Sequence, residues 1–261
     1  MKRRIDCGVF LLTVALSAGG CQTRSPAVPA AADTELVRLT RTAAHAYRQV
    51  SPERAAPLYQ AALARAEALG AVSTAARLAY NLAVCLAESG RSAEALQLVR
   101  EVKLRFDVMS RDDGEGLPPE LHLLEAALLL EAGEPGAEVT ARTARDRARA
   151  MGRRDLQAQA SAMLADIALR AGDVALARLE LRSAQRQAGR HPPPHLAARI
   201  ASLWGALAVA EGQFTEAAAA YRRAAGLWSE AGRIRQVPEA LERAGEAQLR
   251  QGRPADAAAD F

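Results

Sequence analysis

Small and apolar residues recur along this chain at helical spacing, and glycines interrupt them at nearly regular intervals. The stretch from Ala198 to Ala225, ARIASLWGALAVAEGQFTEAAAAYRRAA, shows the unit most clearly. Counted from Gly212, Gly205 lies seven residues before and Trp204 eight before; Ala217, Tyr221 and Ala224 lie five, nine and twelve after. Apolar positions three and four apart predict two helices turning at the glycine. Small residues at Gly205 and Ala217 allow close approach, and Trp204 and Tyr221 are expected to fill the space around that crossing.

The same ruler fits the rest of the chain. Turn anchors fall at Val50, Gly90, Gly133, Gly172, Gly212 and Gly252, spaced by 40, 43, 39, 40 and 40 residues. Seven before them stand Ala43, Ala83, Ala126, Ala165, Gly205 and Gly245, all small. Five after come Ala55, Ala95, Ala177, Ala217 and Ala257, and nine after come Tyr59, Val99, Leu181, Tyr221 and Phe261. The third unit departs, with Glu138 and Arg142 in those slots and Ala137, Ala141 and Ala144 one residue early. That offset predicts a turn after Gly133 shortened by one residue. An alanine-rich bundle repeats small residues by chance, but chance does not hold large residues at one fixed offset.

Trp204-Gly205 on one helix and Ala217 with Tyr221 on the next resemble the tetratricopeptide repeat. The spacing near 40 exceeds the family's usual period of about 34 and is similar to its long-helix variants. The resemblance covers roughly Leu36 to Phe261, as about six repeats with the last incomplete. It implies an all-α fold, a right-handed superhelical solenoid of antiparallel helix pairs. It also implies a concave groove, lined by first helices, that binds a peptide or partner helix. Groove positions by this resemblance hold Tyr47 and Arg48; Arg77, Tyr80 and Glu88; Asp166 and Arg170; Arg199; and Glu242 and Glu246. Asn81, nine before Gly90, matches an asparagine that in many such repeats bonds a peptide's main chain, an amide being both donor and acceptor. The plainer reading of Asn81 is a hydrated or capping surface residue. The set runs from basic and aromatic near Arg77 to acidic near Glu246, which would orient a partner of reversed polarity.

Composition sharpens this picture. Half the residues are hydrophobic but only 4% aromatic, so alanine carries much of the apolar content and favours close-packed helices. No run alternates with the period of a strand. Arginines cluster at Arg142, Arg145, Arg147, Arg149, Arg153 and Arg154, interrupted by Asp146 and Asp155 and without interleaved aromatics. That argues against nucleic acid and for a solvated face or a contact with an anionic envelope surface.

The opening, MKRRIDCGVFLLTVALSAGGC, sets basic residues before an apolar run from Gly8 to Ala18 and small residues before Cys21. Eleven apolar residues are too few to span a bilayer, and the order is that of an export signal. Its Ser17-Ala18-Gly19-Gly20-Cys21 end is similar to a bacterial lipobox, in which the cysteine is lipidated and becomes the new N-terminus; plain secretion is the alternative. Ala18 stands where leucine is usual in that motif. Residues 1–20 are then the signal, and 21–35 a proline-containing tether between membrane and first helix. Loss of Lys2, Arg3, Arg4 and Asp6 takes the formal charge from +4 to about +2. Gln22 after the lipidated cysteine implies, by the family's sorting rule, the outer membrane. Cys85 is left as a lone thiol, expected in the core.

Turn chemistry marks the remaining boundaries. Ser51-Pro52-Glu53 predicts a capped helix start, Pro57 a kink, and Gly70, Gly152 and Gly232 helix ends. The polar stretch Ser110 to Glu120 is a loop, and the three prolines between His191 and His195 make a spacer, not a metal clip. No HExxH, Walker A, CxxC or GxSxG pattern is present, so no enzyme, cofactor or metal site is expected. The function implied is a lipid-tethered, non-catalytic scaffold of the cell envelope, facing the periplasm. The alternative is the ligand-sensing or dimerising part of a larger protein, with self-association through an uncapped last repeat.

Overall fold

The computed structural model describes residues 33–49, 51–109 and 117–258. The signal, Cys21, most of the tether, Val50, the segment 110–116 and Phe261 lie outside the described residues. The described residues form twelve helices and no strand, and within each compact unit consecutive helices pack on one another. They are α1 (Thr34–Gln49), α2 (Pro52–Ala68), α3 (Val72–Glu88), α4 (Ser92–Met109), α5 (Pro119–Ala132) and α6 (Ala137–Ala150). Then come α7 (Arg154–Arg170), α8 (Val174–Ala188), α9 (Pro194–Ala210), α10 (Phe214–Glu230), α11 (Gln236–Arg250) and α12 (Pro254–Ala257). The first helix begins at Thr34, two residues before the sequence reading placed it and inside the stretch read as tether.

One turn recurs and explains the regular spacing. At the end of α7, Gly172 adopts φ +78°, its N–H donates to Leu169 at 3.1 Å, and the Asp173 N–H donates to Ala168 at 2.9 Å. This closes the orphan carbonyls of the helix end. A Cβ on Gly172 would meet nothing within 4 Å, so the left-handed backbone, not space, demands glycine. Asp173 then accepts the Leu176 N–H at 2.9 Å on its side chain, so adjacent residues end one helix and start the next. The same pair of backbone bonds closes the helices at Gly70, Gly90, Gly152, Gly212, Gly232 and Gly252. Ser51 caps α2 by accepting the Arg54 N–H at 3.3 Å, and α2 runs as one helix through Pro57.

Two compact units divide the chain, one ending at Glu134 and the other beginning at Pro135. In the first, Ala43, Ala55, Ala83 and Ala95 are fully buried, as are Tyr59 and Val99 nine residues after their anchors. Cys85 is buried among them, as expected, and burial pushes its thiol up to about 12. Between neighbouring second helices, Arg105 on α4 pairs with Glu67 on α2 at 2.8 Å. Helix α5 is apolar on every side, and nearly all of Leu121 to Leu129 is buried. Glu125 is buried there too, and Lys103 donates to it at 2.6 Å.

In the second unit, Ala165, Gly205, Ala177, Ala217, Leu181 and Tyr221 occupy the predicted core slots and are buried. A Cβ at Gly205 would lie 2.8 Å from Tyr221 Cε1, so the glycine is what lets α10 settle on α9. Two expectations are corrected here. Trp204 packs with the preceding pair, against the core of Ala162, Leu181 and Leu203, and not around the α9–α10 crossing. The one-residue offset of α6 is real, since Ala137, Ala141, Ala144 and Ala148 are its buried face. Its turn is not shortened: α6 starts four residues after Gly133, against two for α4, α8 and α10, with Pro135 and a left-handed Gly136 between. The offset is absorbed by trimming the helix to 14 residues.

Candidate interaction surface

The residues read from the sequence as groove positions divide between the two units. In the second, α7 packs directly on α9, so first helices of successive pairs are neighbours. From α7, Arg170 Nε donates to Asp166 Oδ1 at 3.1 Å, one helical turn apart. From α9, Arg199 reaches back to α7, and its Nη2 lies 3.7 Å from the Met163 sulfur. Asp166, Arg170 and Arg199 are thus brought together. Burial pulls the Arg199 guanidinium below its ordinary value; Asp166 opposes that pull and Arg170 reinforces it. Arginine stays protonated in proteins. The cluster therefore holds two guanidiniums and one carboxylate in a partly desolvated place, and it favours a further anionic group.

Glu242 and Glu246 stand one turn apart on α11, both exposed. Behind them the buried Tyr221 hydroxyl has its pKa raised by burial; Arg243, which hydrogen-bonds it, and Arg250 oppose the rise, and Glu246 adds to it. Arg243 also donates to Glu239 at 2.7 Å. Met163 and Arg243 were not among the residues expected from the sequence. Both stand nine before an anchor, the offset of Asn81, so the same ruler carries the signal that finds them.

In the first unit, Arg77, Tyr80, Asn81 and Glu88 all lie on α3, and Tyr47 near the end of α1. Arg77 is exposed and Asn81 half-buried, while Tyr80 Oη and Glu88 Oε1 are shielded from solvent. Arg77 and Asn81 thus present accessible polar ends on α3. An apolar hollow of about 170 Å³ lies elsewhere in this unit, lined by Leu63, Val72, Ala75, Val102 and Phe106, with Glu67 and Arg105 also lining it. Among the described residues, no group of three His, Cys, Asp or Glu is placed to hold a metal, and no helix is long and apolar enough to cross a membrane.

Residues 40–107 and 203–261 match the family model described as tetratricopeptide repeat. No curated protein is a match to the sequence. Among solved structures, the crystal structure of BtubC (BKLC) from P. vanneervenii is similar, with a TM-score of 0.57 over 87% of each chain at 17% identity. At that identity the likeness shows the fold. Helix pairing, the buried small residues at fixed offsets and these matches agree: the fold is all-α and of the tetratricopeptide-repeat type, and residues 40–107 and 203–261 are similar to that family's repeat.

Proposed function

We propose that this chain is a non-catalytic scaffold of the bacterial cell envelope that holds a protein partner on its first helices, tethered by a lipid on Cys21. Tetratricopeptide repeats are generally protein-binding modules. The observation that carries the reading is the cluster of Asp166, Arg170 and Arg199 across α7 and α9. A partner that is an extended peptide or helix would place an acidic side chain there, because a carboxylate completes the pairing that one aspartate leaves short. Glu242 and Glu246 on α11 would take a basic residue of the same partner. In the first unit, taken by itself, Asn81 and Arg77 would bond the main chain and an acid of a bound polypeptide. The order of basic run, apolar run and Cys21 supports a periplasm-facing anchor, and Gln22 supports the outer membrane.

The test is crosslinked capture from membranes with tagged full-length chain, read by mass spectrometry. The wild type is expected to enrich a polypeptide, and Arg170→Ala with Glu242→Ala to lose at least tenfold of it, with helicity unchanged. Enrichment that ignores both substitutions would overturn the reading.

A further inference from the structure

The second unit carries an unbalanced charge that the groove does not use. Residues 137–190 hold eleven arginines and six acids, an excess of five in a chain whose whole formal charge is +4. Much of that excess sits on second helices. In α6 and α8 the order Val139, Arg142 and Leu179, Arg182 repeats 40 residues apart, so equivalent faces of the two helices carry the same pair. The two helices are joined where Arg145 Nη1 donates to both Glu180 oxygens, at 2.8 and 3.0 Å. That pair uses up Glu180, the carboxylate of α8, and Arg142 takes Glu138. What remains exposed there is Arg149, Arg182, Arg186 and Arg190 against one acid, Asp146, none of the four arginines with a partner among the described residues. Val139 and Leu179 stand among them at 68% and 60% exposure.

Unpaired guanidiniums are ordinary on a surface, and so are single exposed aliphatics. Both kinds together, on helices that an ion pair holds side by side, are what an anionic bilayer surface binds. Arginines meet lipid phosphates, and the aliphatic side chains enter the boundary beneath them. We infer that the α6–α8 outer face docks on a membrane surface of anionic phospholipid, independently of any lipid on Cys21 and of the partner bound to the first helices. Charge complementarity selects this occupant. A stacking nucleic-acid face would interleave aromatics, and α6 and α8 contain none.

The experiment uses full-length chain carrying Cys21→Ser, so that no acyl group contributes, and vesicles with or without 30% phosphatidylglycerol in phosphatidylcholine. The expected result is cosedimentation that needs phosphatidylglycerol and weakens with added salt. Each arginine near such a surface is worth about fivefold in affinity, so Arg149→Gln, Arg182→Gln and Arg186→Gln together should weaken binding about 100-fold. Val139→Ser with Leu179→Ser should weaken it several-fold without changing the salt dependence. Circular dichroism confirms that each variant folds. Binding that ignores phosphatidylglycerol, or that survives the triple substitution in a folded protein, overturns the proposal. So does arginine-dependent binding of RNA or of an acidic protein with no vesicle binding.

Discussion

Gly205 and Gly226 are both helical glycines, and their surroundings set opposite expectations. A methyl group at Gly205 would strike the Tyr221 ring at 2.8–3.0 Å, whereas one at Gly226 meets nothing within 4 Å. Replacing glycine by alanine in a helix gains up to ~1 kcal/mol, but overpacking a core costs about 1–3 kcal/mol. Gly205→Ala should therefore lower stability in urea by about 1 kcal/mol or more, and Gly226→Ala should raise it by about 0.5 kcal/mol. A second test at this scale uses Cys85 and Tyr59. Burial pushes the thiol from 9.0, and the phenol from 10.0, each to about 12, with charge on the neighbouring partner adding to the phenol's shift. Both groups are neutral acids in the fold. Their contribution is complete below pH 9 and is lost as pH rises toward 12, because only the unfolded chain releases those protons. Stability should decline through that window, less steeply for Cys85→Ala. Carrying Cys7→Ser and Cys21→Ser, the folded chain should react with a thiol reagent at pH 8 only as it unfolds.

At the scale of the element, the recurring glycine turn makes its own prediction. Gly172→Ala introduces no clash and forces an L-residue into the left-handed region, which costs about 1–2 kcal/mol. Thermal melting should show that loss, and Ser51→Ala should cost about 1 kcal/mol by removing the α2 cap. These boundaries were legible in the sequence because glycine, serine and proline each act through local backbone chemistry. The α6 start was not. Alanine spacing reported its buried face correctly, but Pro135 and Gly136 widen the turn while the helix gives up its first residues, and spacing alone cannot separate those two solutions. Trp204 was misread for a related reason. Its offset names its helix and height, yet a long side chain beside Gly205 can lean toward either neighbouring pair, and the core of Ala162 and Leu181 takes it.

At the scale of the whole molecule, the all-α pairing was readable from one fixed offset, because each pair buries its own small and large residues at the same height. The interaction surface was only half readable. Asp166 and Arg170 are four apart and visible as a pair, whereas Arg199 joins them across 33 and 29 residues through helix packing. The tether makes a separate prediction: the mature protein should incorporate labelled fatty acid and partition into detergent, and Cys21→Ser should abolish both. The central claim is that first helices hold a protein partner. It is tested most directly by a photo-crosslinking amino acid placed in living cells at Arg170 or Glu242, or at Gln185 on the outer face of α8 as the control. Adducts to one polypeptide from Arg170 and Glu242, lost on adding Arg199→Ala and absent at Gln185, are the expected result. Polypeptide adducts at Gln185 with none at Arg170 or Glu242 would contradict it.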